Sequence, residues 1–189
     1  MAAALRPAPP LAACAWINSP PLALEVLRGK VVMLHAFQLH CPGCVELATP
    51  QAQRVHEVFA PEDVAVIGLH TVFERHEEAG PAALERYVRE QGLTFPIAID
   101  TPDGRGGTPL TMAAYRLDGT PSVVLIDRAG RLRMKRLGHV PDLALGALIG
   151  SLIQEPQPAR AASGTPEADA SNKAPVAGAN GEDLAGRGR

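Results

Sequence analysis

Apolar positions along the chain fall into runs of two kinds. KVVMLHAF (residues 30–37) and DVAVIGLH (63–70) are almost unbroken apolar stretches of strand length. Such runs fit strands covered on both faces. Between them, from about Pro42 to Phe59, the pattern predicts a helix. Pro42 suits its first turn, where no amide partner is lost, and Pro50 should kink it. PAALERYVREQG (81–92) predicts an amphipathic helix with Leu84, Tyr87 and Val88 on its apolar side and Gly92 at its end. FPIAID (95–100) reads as a short strand and LTMAAYRL (110–117) as a short helix. Ser122 to Asp127 predicts a strand, Arg128-Ala129-Gly130 a hairpin turn, and the alternation from Arg131 to Leu137 a half-exposed antiparallel partner. PDLALGALIGSLI (141–153) closes the pattern as an apolar helix.

The resulting order, β-α-β-α-(β-α)-β-β-α, belongs to the α/β class. It predicts a mixed central sheet with helices on both faces. The domain is expected over residues 16–153. Residues 1–15 are Ala/Pro-rich and are expected to form a flexible arm. Residues 154–189 contain only Val176 and Leu184 as larger apolar side chains. They bury too little to offset their ordering entropy, so a disordered tail is expected.

Composition narrows the function classes. Apolar residues make up 46% of the 189 and aromatics 4%, which implies an aliphatic core. The net charge of −2 gives no electrostatic footprint for nucleic acid. No run of about 18 apolar residues is present to span a membrane. Leu11-Ala12-Ala13-Cys14 has the look of a lipoprotein cleavage box, but Pro7, Pro9 and Pro10 interrupt the apolar stretch that a secretory leader needs. Three cysteines do not make a disulfide scaffold. A reducing, cytoplasmic compartment is the expectation.

Two of those cysteines carry the chemistry. Cys41 and Cys44 flank Pro42-Gly43 where the first buried strand gives way to a helix. A C-x-x-C pair beside a βαβ pattern reads as a redox motif. Cys41 falls at the helix start, where free amides and the helix dipole favour a thiolate. Cys44 lies about one turn further on the same side, so the two sulfurs can bond without moving the backbone. A structural zinc site wants four ligands, usually two such pairs, and only Cys14 and scattered histidines remain. Haem attachment needs a histidine after the second cysteine, where this chain has Val45. Neither a metal nor an organic cofactor is expected.

These features resemble the thioredoxin-like superfamily over roughly residues 16–153, and most closely its TlpA-like thiol-disulfide oxidoreductases and redoxins. HAFQLHCPGC and, about 80 residues later, GTPSVVLID carry the resemblance. It implies that Pro121 is cis and that Thr120-Pro121 offers a substrate backbone an edge to pair with. The segment between Thr71 and Thr108 is similar to the insertion of the TlpA-like branch. The chain also departs from the pattern. Leu47 stands where these proteins commonly carry a Glu, and Pro50 is one place late. His35 takes the place of the buried Asp of thioredoxins, and His40 that of the aromatic residue before the first cysteine. Peroxiredoxins share the fold but require a Thr or Ser three residues before the attacking cysteine and a Pro seven before it. Gln38 and Leu34 occupy those places here.

The histidines divide by position. His56 and His76 fall on expected solvent faces, and His139 lies in a loop. His70 ends a strand, where open sheets gather their sites. A protonated His40 would favour the Cys41 thiolate. His35 shares a strand face with Met33 and Phe37. If that face meets the helix carrying Cys44, a neutral His35 is placed to accept the Cys44 proton.

The expected activity is dithiol–disulfide exchange with a disulfide-containing protein or small molecule. Cys41 attacks, Cys44 resolves, and a cellular dithiol reductant recycles the pair. A thiol peroxidase and a non-catalytic binding module are the alternatives.

Overall fold

The computed structural model describes residues 5–74 and 79–156. His76, and residues 157–189 of the tail expected over 154–189, lie outside the described residues. Among the described residues, six strands form one sheet: β1 (Ala13–Ile17), β2 (Val31–Phe37), β3 (Val64–His70), β4 (Ile97–Asp100), β5 (Ser122–Ile126) and β6 (Leu132–Leu137), in the order β1-β4-β3-β2-β5-β6. β2 runs parallel to β3 and antiparallel to β5. β3 runs parallel to β4, and the outer strands β1 and β6 pair antiparallel to β4 and β5. β2 has neighbours on both sides, and all seven of its residues are buried, which accounts for its unbroken apolar sequence.

Among the described residues the four α-helices are α1 (Thr49–Val58), α2 (Pro81–Glu90), α3 (Leu110–Ala114) and α4 (Asp142–Gln154). Val31, Met33 and Phe37 of β2 face Ala52 and Val55 of α1, Leu84 and Val88 of α2, and Leu145, Ile149 and Leu152 of α4 in one apolar cluster. The alternate residues Val32, Leu34 and Ala36 face the other side. There α3 supplies Met112 and a 3-10 turn at Leu24–Leu27 supplies Leu24. The mixed sheet with helices on both faces is as expected, with the heavier cover on the side of α1, α2 and α4.

Residues 5–15 differ from expectation. In place of a flexible arm, the chain pairs with the sheet at two points. Leu132 N–H donates to the Arg6 carbonyl and Ala8 N–H to the Gly130 carbonyl, both at 2.9 Å. Ala15, Trp16 and Ile17 then lie opposite Ile99, Ala98 and Ile97. Tyr115 Oη donates to the Pro9 carbonyl at 2.7 Å. The physical reason is local. A proline lacks a donor but keeps its acceptor, and Leu11, Ala13 and Trp16 cover the thinly helical face of the sheet.

Candidate active site

The site grows from the C-terminal end of β2. Beyond Phe37 the backbone turns, and Val45 N–H donates to the Cys41 carbonyl at 3.1 Å, which makes Cys41 the residue that caps the helix. Cys44 N–H donates to Cys41 Sγ at 3.2 Å. The Cys41 sulfur therefore takes the place of a capping oxygen, with an amide directed at it, an arrangement that favours negative sulfur. Cys41 and Cys44 form a disulfide with their Cα atoms 5.1 Å apart, inside the usual range for such bonds. Cys41 is partly exposed, whereas Cys44 is fully buried.

The helix after the pair does not begin as a regular α-helix. Cys44–Ala48 is a π-helical turn, and Thr49 N–H reaches back five residues to the Cys44 carbonyl. Pro50 explains it: proline has no N–H for the Glu46 carbonyl, and its ring crowds that group. The kink expected from the sequence is thus taken up as one widened turn.

Thr120 and Pro121 stand opposite the pair. The Thr120–Pro121 peptide is cis. Cys41 Sγ lies 3.5 Å from the Thr120 carbonyl oxygen. A Cβ on Gly43 would stand 3.6 Å from Pro121 Cδ. The structure therefore brings Cys41, Cys44, Thr120 and Pro121 together at one edge.

His35 lies behind them. It is fully buried, and its Nε2 is hydrogen-bonded with Thr49 Oγ1 at 2.9 Å. Its strand face is the one packed against Cys44, through Met33 and Phe37. The ring stacks on Phe37 with centroids 5.2 Å apart, and its Nδ1 has no partner. Burial lowers the His35 pKa to about 3, because charging an imidazole away from water is costly. Gly68 makes room here. A Cβ on it would stand 2.9 Å from Phe95 and 3.2 Å from Phe37.

His40 is exposed and directly precedes Cys41 in the chain. His70 is the buried last residue of β3, opposite Phe37 in the ladder. Burial, and then the positive charge of His40, lower its pKa to about 4. His56 is half-buried, edge-on to Phe95.

Three further residues of the surroundings were not assigned to the site from the sequence, where Gln38 entered only in the peroxiredoxin comparison and Tyr87 only as an apolar helix position. Gln38 is 4% exposed and reaches both Thr120 and Phe73. Thr49 meets His35. Tyr87 turns its buried hydroxyl toward Thr49 without a hydrogen bond of normal geometry, and burial raises its pKa. Gln38 and Thr49 are polar residues that continue an apolar element, and this was the available signal.

A family model described as Redoxin matches residues 17–145. The chain belongs to the redoxin family. Among solved structures, this redoxin is similar to a thioredoxin-like superfamily protein at 48% identity and a TM-score of 0.79, covering 81% of this chain and 99% of the other. It is also similar to a thiol-disulfide isomerase from Corynebacterium glutamicum at 47% identity and a TM-score of 0.75, covering 79% and 98%. Curated relatives are more distant. Protein DipZ of Mycobacterium bovis is 28% identical over 146 residues, 76% of this chain and 20% of that protein. The thiol-disulfide oxidoreductase ResA of Halalkalibacterium halodurans is 25% identical over 121 residues, 64% of this chain and 61% of ResA. The chain thus spans from a fifth to about three fifths of the length of these curated relatives.

Proposed function

We propose that this redoxin is a thiol-disulfide oxidoreductase in which Cys41 is the attacking and Cys44 the resolving sulfur. The observation that carries the reading is the unequal burial of the bonded pair. Cys41 is partly exposed and accepts the Cys44 amide, while Cys44 is sealed in the core. The names of the relatives, a thiol-disulfide isomerase and ResA, support the same class.

In the reductive direction, the Cys41 thiolate attacks one sulfur of a substrate disulfide. The S–S bond breaks, and the other sulfur leaves and takes up a proton. The Cys44 thiolate then attacks Cys41 Sγ in the mixed disulfide, forming the Cys41–Cys44 bond and releasing the second substrate thiol. A cellular dithiol reverses these steps and resets the pair. The Thr120-Pro121 edge beside Cys41 supplies backbone for an extended substrate to pair with.

His35 enters this reading as a positioning residue. It sits on the strand face required of a proton acceptor for Cys44, and burial keeps it neutral. The same burial leaves it a weak base, far from the pKa near operating pH that suits proton transfer. Its bond to Thr49 instead ties the start of α1 to β2.

Insulin reduction with dithiothreitol tests the activity. Insulin should precipitate faster than in the uncatalysed control, while hydrogen peroxide is consumed slowly. Gln38, in the place of a peroxide-orienting hydroxyl, has its amide engaged with Thr120 and Phe73. Rapid peroxide turnover with inert insulin would show a peroxidase instead.

A further inference from the structure

We propose that Gln38 is a positioning residue that joins the two loops flanking Cys41 and so sets the affinity for extended polypeptide disulfides. The proposal rests on the oxidoreductase reading above.

Gln38 directly follows β2 and precedes Cys41 by three residues. Its Nε2 donates to Thr120 Oγ1 at 3.5 Å, and its Oε1 accepts the Phe73 N–H at 3.3 Å. Its backbone carbonyl accepts the Cys41 N–H, also at 3.3 Å. One residue thus touches the residue before the cis proline, the loop leaving β3 and the first cysteine of the pair.

All three contacts are longer than the usual 2.9–3.0 Å or so. The amide is shared between two loops and firmly committed to neither. Burial makes that sharing consequential, because a buried amide stripped of partners carries a desolvation cost. Gln38 therefore holds both loops near itself.

Thr120 links this clamp to recognition. Its side chain meets Gln38, and its carbonyl oxygen lies 3.5 Å from Cys41 Sγ. A substrate strand that pairs with the Thr120-Pro121 edge needs that backbone already in place, since ordering it on binding would cost affinity. A small disulfide reaches Cys41 with little use of the edge. The clamp should accordingly act on KM for a peptide and much less on the chemical step.

Gln38→Met in the full chain keeps the length of the side chain and removes both amide contacts. Steady-state kinetics would use a ten-residue peptide disulfide and, separately, an aromatic small-molecule disulfide. We expect the peptide KM to rise on the order of five- to ten-fold, the equivalent of about one ordinary hydrogen bond. The peptide kcat should fall less than three-fold, and the small-disulfide rate should change several times less than the peptide kcat/KM. Thr120→Val, at a partly exposed position, removes the same contact from its other end and gives an answer even if the Gln38 variant folds poorly. Its peptide KM should rise similarly, and the double variant should be little worse than either single one. An unchanged peptide KM, equal losses with both substrates, or fully additive effects would overturn the clamp. A wild-type protein that reduces neither substrate would instead overturn the oxidoreductase reading, and the clamp would fall with it.

Discussion

Cys41 and Cys44 are one helical turn apart, yet the fold treats them differently, and the difference arises from single contacts. The amide of Cys44 serves the sulfur of Cys41, while Cys44 itself is enclosed by the cluster that holds Met33 and Phe37. His35 belongs to the same cluster face and makes its one hydrogen bond to Thr49. Our reading predicts that His35→Leu slows resolution of a mixed disulfide by less than about ten-fold. A true general base typically contributes ~10²-fold or more. Rapid-quench kinetics with a slowly resolving substrate measures this. A hundred-fold loss confined to resolution would make His35 the proton acceptor after all. At this scale the cysteine pair was legible because its chemistry resides in a four-residue spacing. Gln38 was not, because its partners lie 35 and 82 positions away in the chain. Only the fold makes those contacts visible.

The elements that carry the site were mostly legible for a related reason. β2, β3 and β5 are buried strands whose apolar runs stand out against turn residues. The turn at Arg128-Ala129-Gly130 is set by Asp127. Its Oδ1 accepts the N–H groups of Ala129 and Arg131, both at 2.9 Å, and Gly130 takes a φ of +74°. β1 was not legible. It is an edge strand of five residues, only partly buried, and its pairing with β4 is written in backbone groups that no side-chain period reports. The helix from Pro42 was legible in extent but not in form. Pro50 told of a break, and the widened turn at Cys44–Ala48 is how the backbone accommodates it. Gly68 is a comparable detail. Its missing side chain is the space in which Phe37 packs between His35 and His70.

At the scale of the whole molecule, the burial of His35 and His70 among the described residues has a pH consequence. Burial lowers His35 to about 3 and His70 to about 4, from 6.5 in the unfolded chain. Between those values the unfolded state binds more protons than the folded state, so stability falls as pH falls from about 6.5 toward 4. At pH 4.5 each histidine should remove roughly 2–3 kcal/mol, at about 1.4 kcal/mol per pKa unit. Denaturant midpoints at pH 7 and 4.5 should show this loss, and His70→Gln should remove part of it. Equal stability at the two pH values would show that the histidines are not held neutral.

If Cys41 attacks and Cys44 resolves, trapping of the mixed disulfide separates the two sulfurs. In a Cys14→Ser background, which removes the exposed third thiol, reduced Cys44→Ser and Cys41→Ser proteins would each be mixed with a peptide disulfide and analysed by intact mass. We expect a long-lived mixed disulfide through Cys41 in the Cys44→Ser protein and essentially none in the Cys41→Ser protein. A stable adduct through Cys44 in the Cys41→Ser protein, with Cys41 unreactive in the other, would contradict it.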